Sequence, residues 1–375
     1  MAVIFSNIYS QTNLLNSFNN NIAEFSSTNV LQATKAKITV GTLVFEITPI
    51  NNAFHFNLKE VFKSLLAYNN TEDNITPTAY VVGDSRLATF VNVTYEITLS
   101  DLSTESIIVP SKIVRSVEQI NNKANRSSTL HQVLSPLTLK VWKGYPFGFS
   151  YYADSTLTIT NTTTTNSINP TVVDGAGYRV FFIDREEQYK QRVLAAGGTF
   201  EQNNCWLERT NYDLLNVGHN TLMLSSPLST ITMNVNMIDS NCDGITYLKW
   251  FNEFGGWSYW LFNPIHKESV ATKTVDSFNV DFSNLIDTSS TTLLTGKTAR
   301  KTRDIKAESL TNTDVAQLKS IITSPRVEMF DGTFGNFENK WQNIKVKDGS
   351  FQISNTKRNL LNLKLKIEIN QYTQV

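Results

Sequence analysis

The chain has 375 residues, enough for two or three domains and a sizeable buried core. Its 33 Lys and Arg balance 33 Asp and Glu, so no global field steers it to nucleic acid or to an anionic membrane. Charged residues reach only 18%, Asn and Thr take over the surface role, and 22 Phe with 13 Tyr favour strands over helices.

In chain order, Met1–Asn29 is polar and Asn-rich, and reads as an arm (1–29) that orders against a neighbour. It lacks the basic start and apolar stretch of a signal peptide, and no run approaches the ~18 apolar residues that span a bilayer. An N-terminal β domain is expected over 30–155. Within it Leu58, Val61, Phe62, Leu65 and Leu66 have helical spacing, with Asn57 as N-cap and Glu60 at the capping-box position. Val91, Val93, Tyr95, Ile97 and Leu99 then alternate with polar residues, as do Leu137, Leu139 and Val141. Each pattern predicts a half-buried antiparallel strand.

Thr156–Asn169 has little to bury and reads either as a linker or as the tip of a long hairpin, because Leu157 and Ile159 still alternate. A C-terminal β domain follows over 170–375. Asp184–Ala196, closed by Gly197-Gly198, is a second helix candidate. Strand alternation returns at Ile231–Met237, Phe278–Phe282 and Leu363–Ile369. Ser283–Lys306 reads as a polar loop that orders on assembly. A third helix is predicted over Asp314–Ile322, capped by Thr311 and stopped before Pro325. Many strands and few short helices predict antiparallel β-sandwich or barrel domains.

The densest feature is Tyr247–Phe262, half of it aromatic, with Gly255-Gly256 near its middle. It predicts a hairpin with strands over Tyr247–Phe251 and Trp257–Phe262, the glycines permitting the positive φ of a tight turn. Both faces are bulky and apolar, which fits either an ordinary core hairpin or a strand covered on two sides by its own core and by a neighbouring subunit. Trp250, Gly255, Gly256, Trp257, Tyr259 and Trp260 are therefore the candidate structural and assembly residues.

Chemistry-bearing patterns are weak. Asp239–Gly244 opens like a calcium loop, but the twelfth position is Trp250 rather than Glu, and a turn explains it better. Gly296-Lys-Thr298 lacks the glycine five residues upstream that a phosphate-binding loop needs, since Thr291 stands there. His55, His131, His219 and His266 are isolated, and Glu186-Glu187 beside Arg185 reads as an exposed ion-pair face. Cys205 and Cys242 read as reduced thiols, with a single disulfide as the alternative. Lys297, Arg300, Lys301, Arg303 and Lys306 form the one basic cluster, which reads as a solvated loop balanced by acids elsewhere or as a protein contact and, less well, as a contact with DNA phosphates. No metal, cofactor or catalytic activity is expected.

The Tyr247–Phe262 stretch resembles a signature of virion structural proteins in tailed phages of Bacteroidota, crAss-like phages among them: Lys-Trp-hydrophobic-Asn-x-x-Gly-Gly-aromatic-x-Tyr-Trp-hydrophobic-Phe. Phe56–Leu66, Val141–Phe147, Ser324–Val327, Trp341, Ile344–Gly349 and a final strand ending near Gln371 extend the resemblance in order over most of the chain. It implies a ring subunit of the portal-proximal neck and tail barrel. Its partners would be copies of itself, adjoining ring proteins and DNA in the lumen, with assembly in the host cytoplasm and no membrane. A tail fibre or carbohydrate-binding tail protein, with exposed Trp257 and Tyr259 stacking on sugars, is the alternative.

Overall fold

The computed structural model describes residues 2–7, 14–66, 81–83, 87–117, 127–129, 133–143, 145, 147–153, 157–165, 167–168, 176–182, 215–226, 230–239, 246–264, 267–279, 292–330, 341–347 and 361–374. The chain is mainly β, with open antiparallel and mixed sheets and a few short helices. It divides into two compact units. The first holds Met1–Ile238 with Asn252–Ser258, and the second Asp239–Phe251 with Tyr259–Val375.

The first unit is built around a β-sandwich. One sheet has three strands in the order Val3–Asn7, Ile22–Ser27, Phe54–Asn57. The other has six, in the order Ser127–Thr129, Leu14–Asn16, Thr104–Val114, Ala88–Leu99, Ala33–Val40, Leu43–Ile47. Period-two alternation decides which side chains enter the core: Val93, Tyr95, Ile97 and Leu99 are buried between half-exposed neighbours. The Tyr95 ring lies 4.9 Å from Phe25 and 5.1 Å from Phe5, bringing residues of both sheets together.

The N-terminal segment thus differs from the expected arm. Val3, Leu15, Ala23 and Phe25 belong to the core, and their strands are paired within this unit. A strand needs few apolar residues when only one of its faces is buried, so short apolar runs among asparagines sufficed. The helix covers Lys59–Leu65 and buries Val61 and Phe62. Its cap position falls on Leu58, which makes no side-chain capping bond. Asn57 Oδ1 still accepts the Lys59 N–H (3.1 Å), while Glu60 pairs with Lys63 (2.9 Å) rather than closing a capping box.

Two further sheets complete this unit: Thr138–Trp142, Thr230–Ile238, Gly218–Ser225, Thr158–Asn161, Ser167–Ile168; and Phe147–Ala153, Ala176–Phe182, Val81–Gly83. Thr158–Asn161 pairs antiparallel with Ser167–Ile168, so the Thr/Asn tract takes the hairpin form rather than that of a linker. The boundaries between the compact units fall in sequence at 238/239, 251/252 and 258/259 instead.

The second unit carries a seven-stranded sheet. Its order is Trp257–Phe262, Thr246–Phe251, Val327–Phe330, Trp341–Val346, Leu361–Gln374, Thr292–Leu310, Lys267–Asn279. The last strand alternates as its sequence predicts, with Leu361, Leu363, Leu365, Ile367 and Ile369 all buried. The short helix Asn312–Leu318 continues as a 3₁₀ turn over Lys319–Ile321. Thr311 caps it in a full capping box with Asp314.

The expected loop at 283–306 is corrected in its described part. Thr292–Leu310 is one 19-residue strand, paired on one side with Lys267–Asn279 and on the other with Leu361–Gln374. Most of its residues are polar or charged, and the buried apolar ones, Ala299, Ile305, Ala307 and Leu310, are too widely and unevenly spaced to show strand periodicity in a hydrophobicity pattern. The Asp184–Ala196 helix, Cys205, Cys242, His131, His266 and residues 240–244 lie outside the described residues, as do Val280 and Phe282.

Candidate functional site

The aromatic hairpin forms as the sequence predicts, with strands over Thr246–Phe251 and Trp257–Phe262, and every residue of both strands is buried. Its turn is organised by Asn252. The Asn252 Oδ1 accepts the N–H groups of Phe254 (2.9 Å) and Gly256 (3.0 Å), and its Nδ2 donates to Ser258 Oγ (3.1 Å). The Asn252 N–H closes the turn onto the Gly256 carbonyl (2.8 Å). Asn252 stands in the motif, yet its spacing alone did not reveal it as the organiser, because a side-chain turn is defined by backbone geometry.

Within the first unit both glycines are required. Gly255 has φ +95°, and a Cβ there would stand 2.6 Å from the Arg115 carbonyl oxygen. A Cβ on Gly256 would stand 2.1 Å from the Leu134 carbonyl oxygen and 2.6 Å from Ser150 Cβ. Both obstacles include backbone, which cannot swing aside. The Trp257 N–H donates to Ser150 Oγ (3.2 Å) and the Val117 N–H to the Glu253 carbonyl (3.0 Å), so the turn is tied on two sides. Gly256→Ala is expected to cost at least about 1–3 kcal/mol. Urea denaturation of the full chain checks it, and a variant as stable as the parent would show that the turn yields.

Within the second unit Trp250 is fully buried and its Nε1–H donates to Ser320 Oγ (3.0 Å). Tyr259 stacks on Tyr247 at 6.2 Å and meets the Trp341 ring edge-on at 6.2 Å, while its carbonyl accepts Gln317 Nε2–H (2.9 Å). Trp257 and Tyr259 are 2% and 5% exposed. Their cover comes from the chain itself, which matches the core-hairpin reading and not cover by a neighbouring subunit. It also removes both as an open sugar-stacking platform, and Trp260 is equally buried.

Sequence reading missed a buried charge cluster beneath the same strands. Lys249 lies directly opposite Glu328 in the register, and Lys249 Nζ stands 2.8 Å from Glu328 Oε2 with side chains 1% and 5% exposed. Arg326 also pairs with Glu328, and the Trp341 ring lies 4.3 Å from Lys249 Nζ. Lysine at the centre of an apolar motif was the available signal, since a buried ammonium demands a partner.

The basic cluster lies on the strand Thr292–Leu310 rather than in a loop, and most of its charge is answered nearby. Lys301 and Arg303 both reach Glu268 (2.8 and 2.5 Å), Arg300 reaches Glu368 (3.1 Å), and Lys306 pairs with Glu308. Lys297 is exposed, with no acidic partner among the described residues. Three of the five cations are answered across strands and a fourth, Lys306, within its own strand, which leaves little field for phosphate. The hydrogen bond from Lys301, then that from Arg303, holds the Glu268 carboxyl below its ordinary range. A depressed carboxylate contributes stability at neutral pH that is lost as pH falls through its folded-state value. Glu268→Gln should therefore destabilise by about 0.2–1 kcal/mol at pH 7, discounted for solvent screening. Thermal melts across pH check it: parent and variant should converge in acid, and a pH-independent gap would refute the ion-pair account.

These features define a β-sandwich protein with a packed aromatic hairpin and an extended, charge-laced β-ribbon. No protein-family model and no curated protein matches the chain. Solved structures that do match include fibronectin(III)-like modules of Clostridium thermocellum CbhA. They are 7% identical, with 63% of this chain and 94% of that one covered, at TM-score 0.20. Carbohydrate-binding modules from the β-sandwich superfamily match at 10% identity, 99% and 94% coverage and TM-score 0.18. A bacterial ice-binding adhesin matches at 9% identity, 80% and 92% coverage and TM-score 0.19. Likenesses at such TM-scores carry no argument about this chain. Among the described residues no His, Cys, Asp and Glu side chains gather as a metal site, and no helix is long and apolar enough to cross a membrane.

Proposed function

We propose that the chain is a non-enzymatic structural subunit of a phage virion, one copy of a ring in the portal-proximal neck or tail barrel through which DNA leaves the head. The observation that carries this reading is the ribbon of the second unit. All of Lys267–Val275 is exposed, although it forms a regular strand, and Val270 and Val275 are each 56% exposed. A strand with both faces wet buries nothing of its own and is marginal unless something packs on it. A ring subunit supplies that by repetition, because each copy offers a projecting element to the next.

The ordered motif resemblance supports the same reading, and so does the internal use of the aromatic hairpin, which leaves the work of contact to edges and ribbons. In this role the protein acts by occupying a place: sandwich domains hold the ring wall, and no bond is made or broken. Deleting the gene and imaging the lysate tests it. DNA-filled heads lacking everything distal to one ring are expected. Complete, tailed but non-adsorbing particles would sink the reading in favour of receptor binding, and glycan cleavage by the purified chain would sink its non-enzymatic part.

A further inference from the structure

We infer that the edge strand Lys267–Asn279 of one copy docks on the edge strand Leu43–Ile47 of a second copy, extending that copy's six-stranded sheet. This rests on the ring reading and names the surfaces that would build it. Both strands end their sheets, so each presents a row of backbone N–H and C=O groups with no strand alongside among the described residues. Each also exposes apolar side chains where an edge is ordinarily guarded: Leu43 and Val44 on one, Val270 and Val275 on the other. Thirteen residues of strand reach about 40 Å, far enough to lie along a neighbour's five-residue edge with room to spare.

Charge chooses the occupant. The net charge of zero hides a division: the first unit has 16 basic and 19 acidic residues, the second 17 and 14, giving −3 and +3. Opposite signs favour the second unit of one copy against the first unit of another. The ribbon edge carries Lys267 and Lys273 with Glu268 and Asp276, and because Glu268 is engaged by Lys301 and Arg303 the two lysines predominate, whereas Leu43–Ile47 offers Glu46. An antiparallel register that sets Glu46 opposite Lys273 also sets Val44 opposite Val275 and Phe45 opposite Thr274. Glu46 lies 3.6 Å from Lys35, both well exposed, so it remains open to a second cation. The contact joins two different patches, and such heterologous contacts generate rings or helical filaments rather than two-fold dimers.

Sedimentation velocity on the full chain, with Glu46→Lys and Lys273→Glu, tests the pairing. Both positions are exposed, so the reversals spare the core. Each reversal alone should weaken association at least fivefold, and the double reversal should restore it to within twofold. As a second readout, Glu46→Cys and Lys273→Cys chains, each made with Cys205→Ser and Cys242→Ser, are mixed under mild oxidation. A disulfide-linked species should form in the mixture and in neither sample alone. Assembly that ignores both reversals and forms no such link overturns this docking while leaving the ring reading standing. A chain that stays monomeric at every concentration overturns this docking, and absence of the chain from purified particles overturns the ring reading with it.

Discussion

Trp250→Ala is expected to lower the stability of the chain by about 3–5 kcal/mol, measured by chemical denaturation followed by circular dichroism. The side chain is fully buried and belongs to a strand whose every residue is buried, so close-packed neighbours leave little room to collapse into the vacated volume. Its indole N–H also satisfies Ser320, whose hydroxyl would be left without that donor. Trp250→Phe separates the two contributions, retaining most of the apolar volume while deleting the donor, and should cost roughly 1–3 kcal/mol. A loss below about 1 kcal/mol for the alanine variant would show Trp250 to be peripheral.

The hairpin was legible because its information is local: two apolar runs, two glycines and a fixed spacing specify strand, turn and strand. The helix at Asn312–Leu318 was legible for the same reason, since Thr311 and Asp314 carry both halves of a capping box. At Asn57 the same kind of local reading landed one residue away from the cap, because the Asn57 side chain also accepts the Asn21 N–H from a distant segment. The ribbon was hidden for a different reason. Lys297–Lys306 pairs its charges across strands with Glu268 and Glu368, and such pairings depend on a register that links residues about 30 to 70 positions apart. The N-terminal strands were missed because Val3, Leu15 and Phe25 gain their burial from Tyr95 and its neighbours, far along the chain. Of the candidate site, the glycines and tryptophans were readable as packing residues, but which surface stays open is a property of the assembled sheets.

Lys249 and Glu328 give the second large expected effect, and its sign depends on which partner is removed. Glu328→Ala deletes the carboxylate that both Lys249 and Arg326 use, leaving an ammonium 1% exposed beneath the Trp341 ring. Removing one member of a buried pair costs about 3–5 kcal/mol, because the other charge keeps its desolvation penalty and loses its compensation. Lys249→Met should cost less, since Arg326 remains beside Glu328 and the methionine chain fills the lysine's path. The double variant Lys249→Met with Glu328→Met should recover part of the loss, as the apolar pair carries no charge to desolvate and the Arg326 side chain left behind is 14% exposed. The unfolding free energies of Glu328→Met, Lys249→Met, the double variant and the parent close a thermodynamic cycle, with the coupling between the sites as its output. A coupling near zero would mean that the two side chains do not meet in the folded chain, and the cross-strand register Lys249 to Glu328 would fall with it.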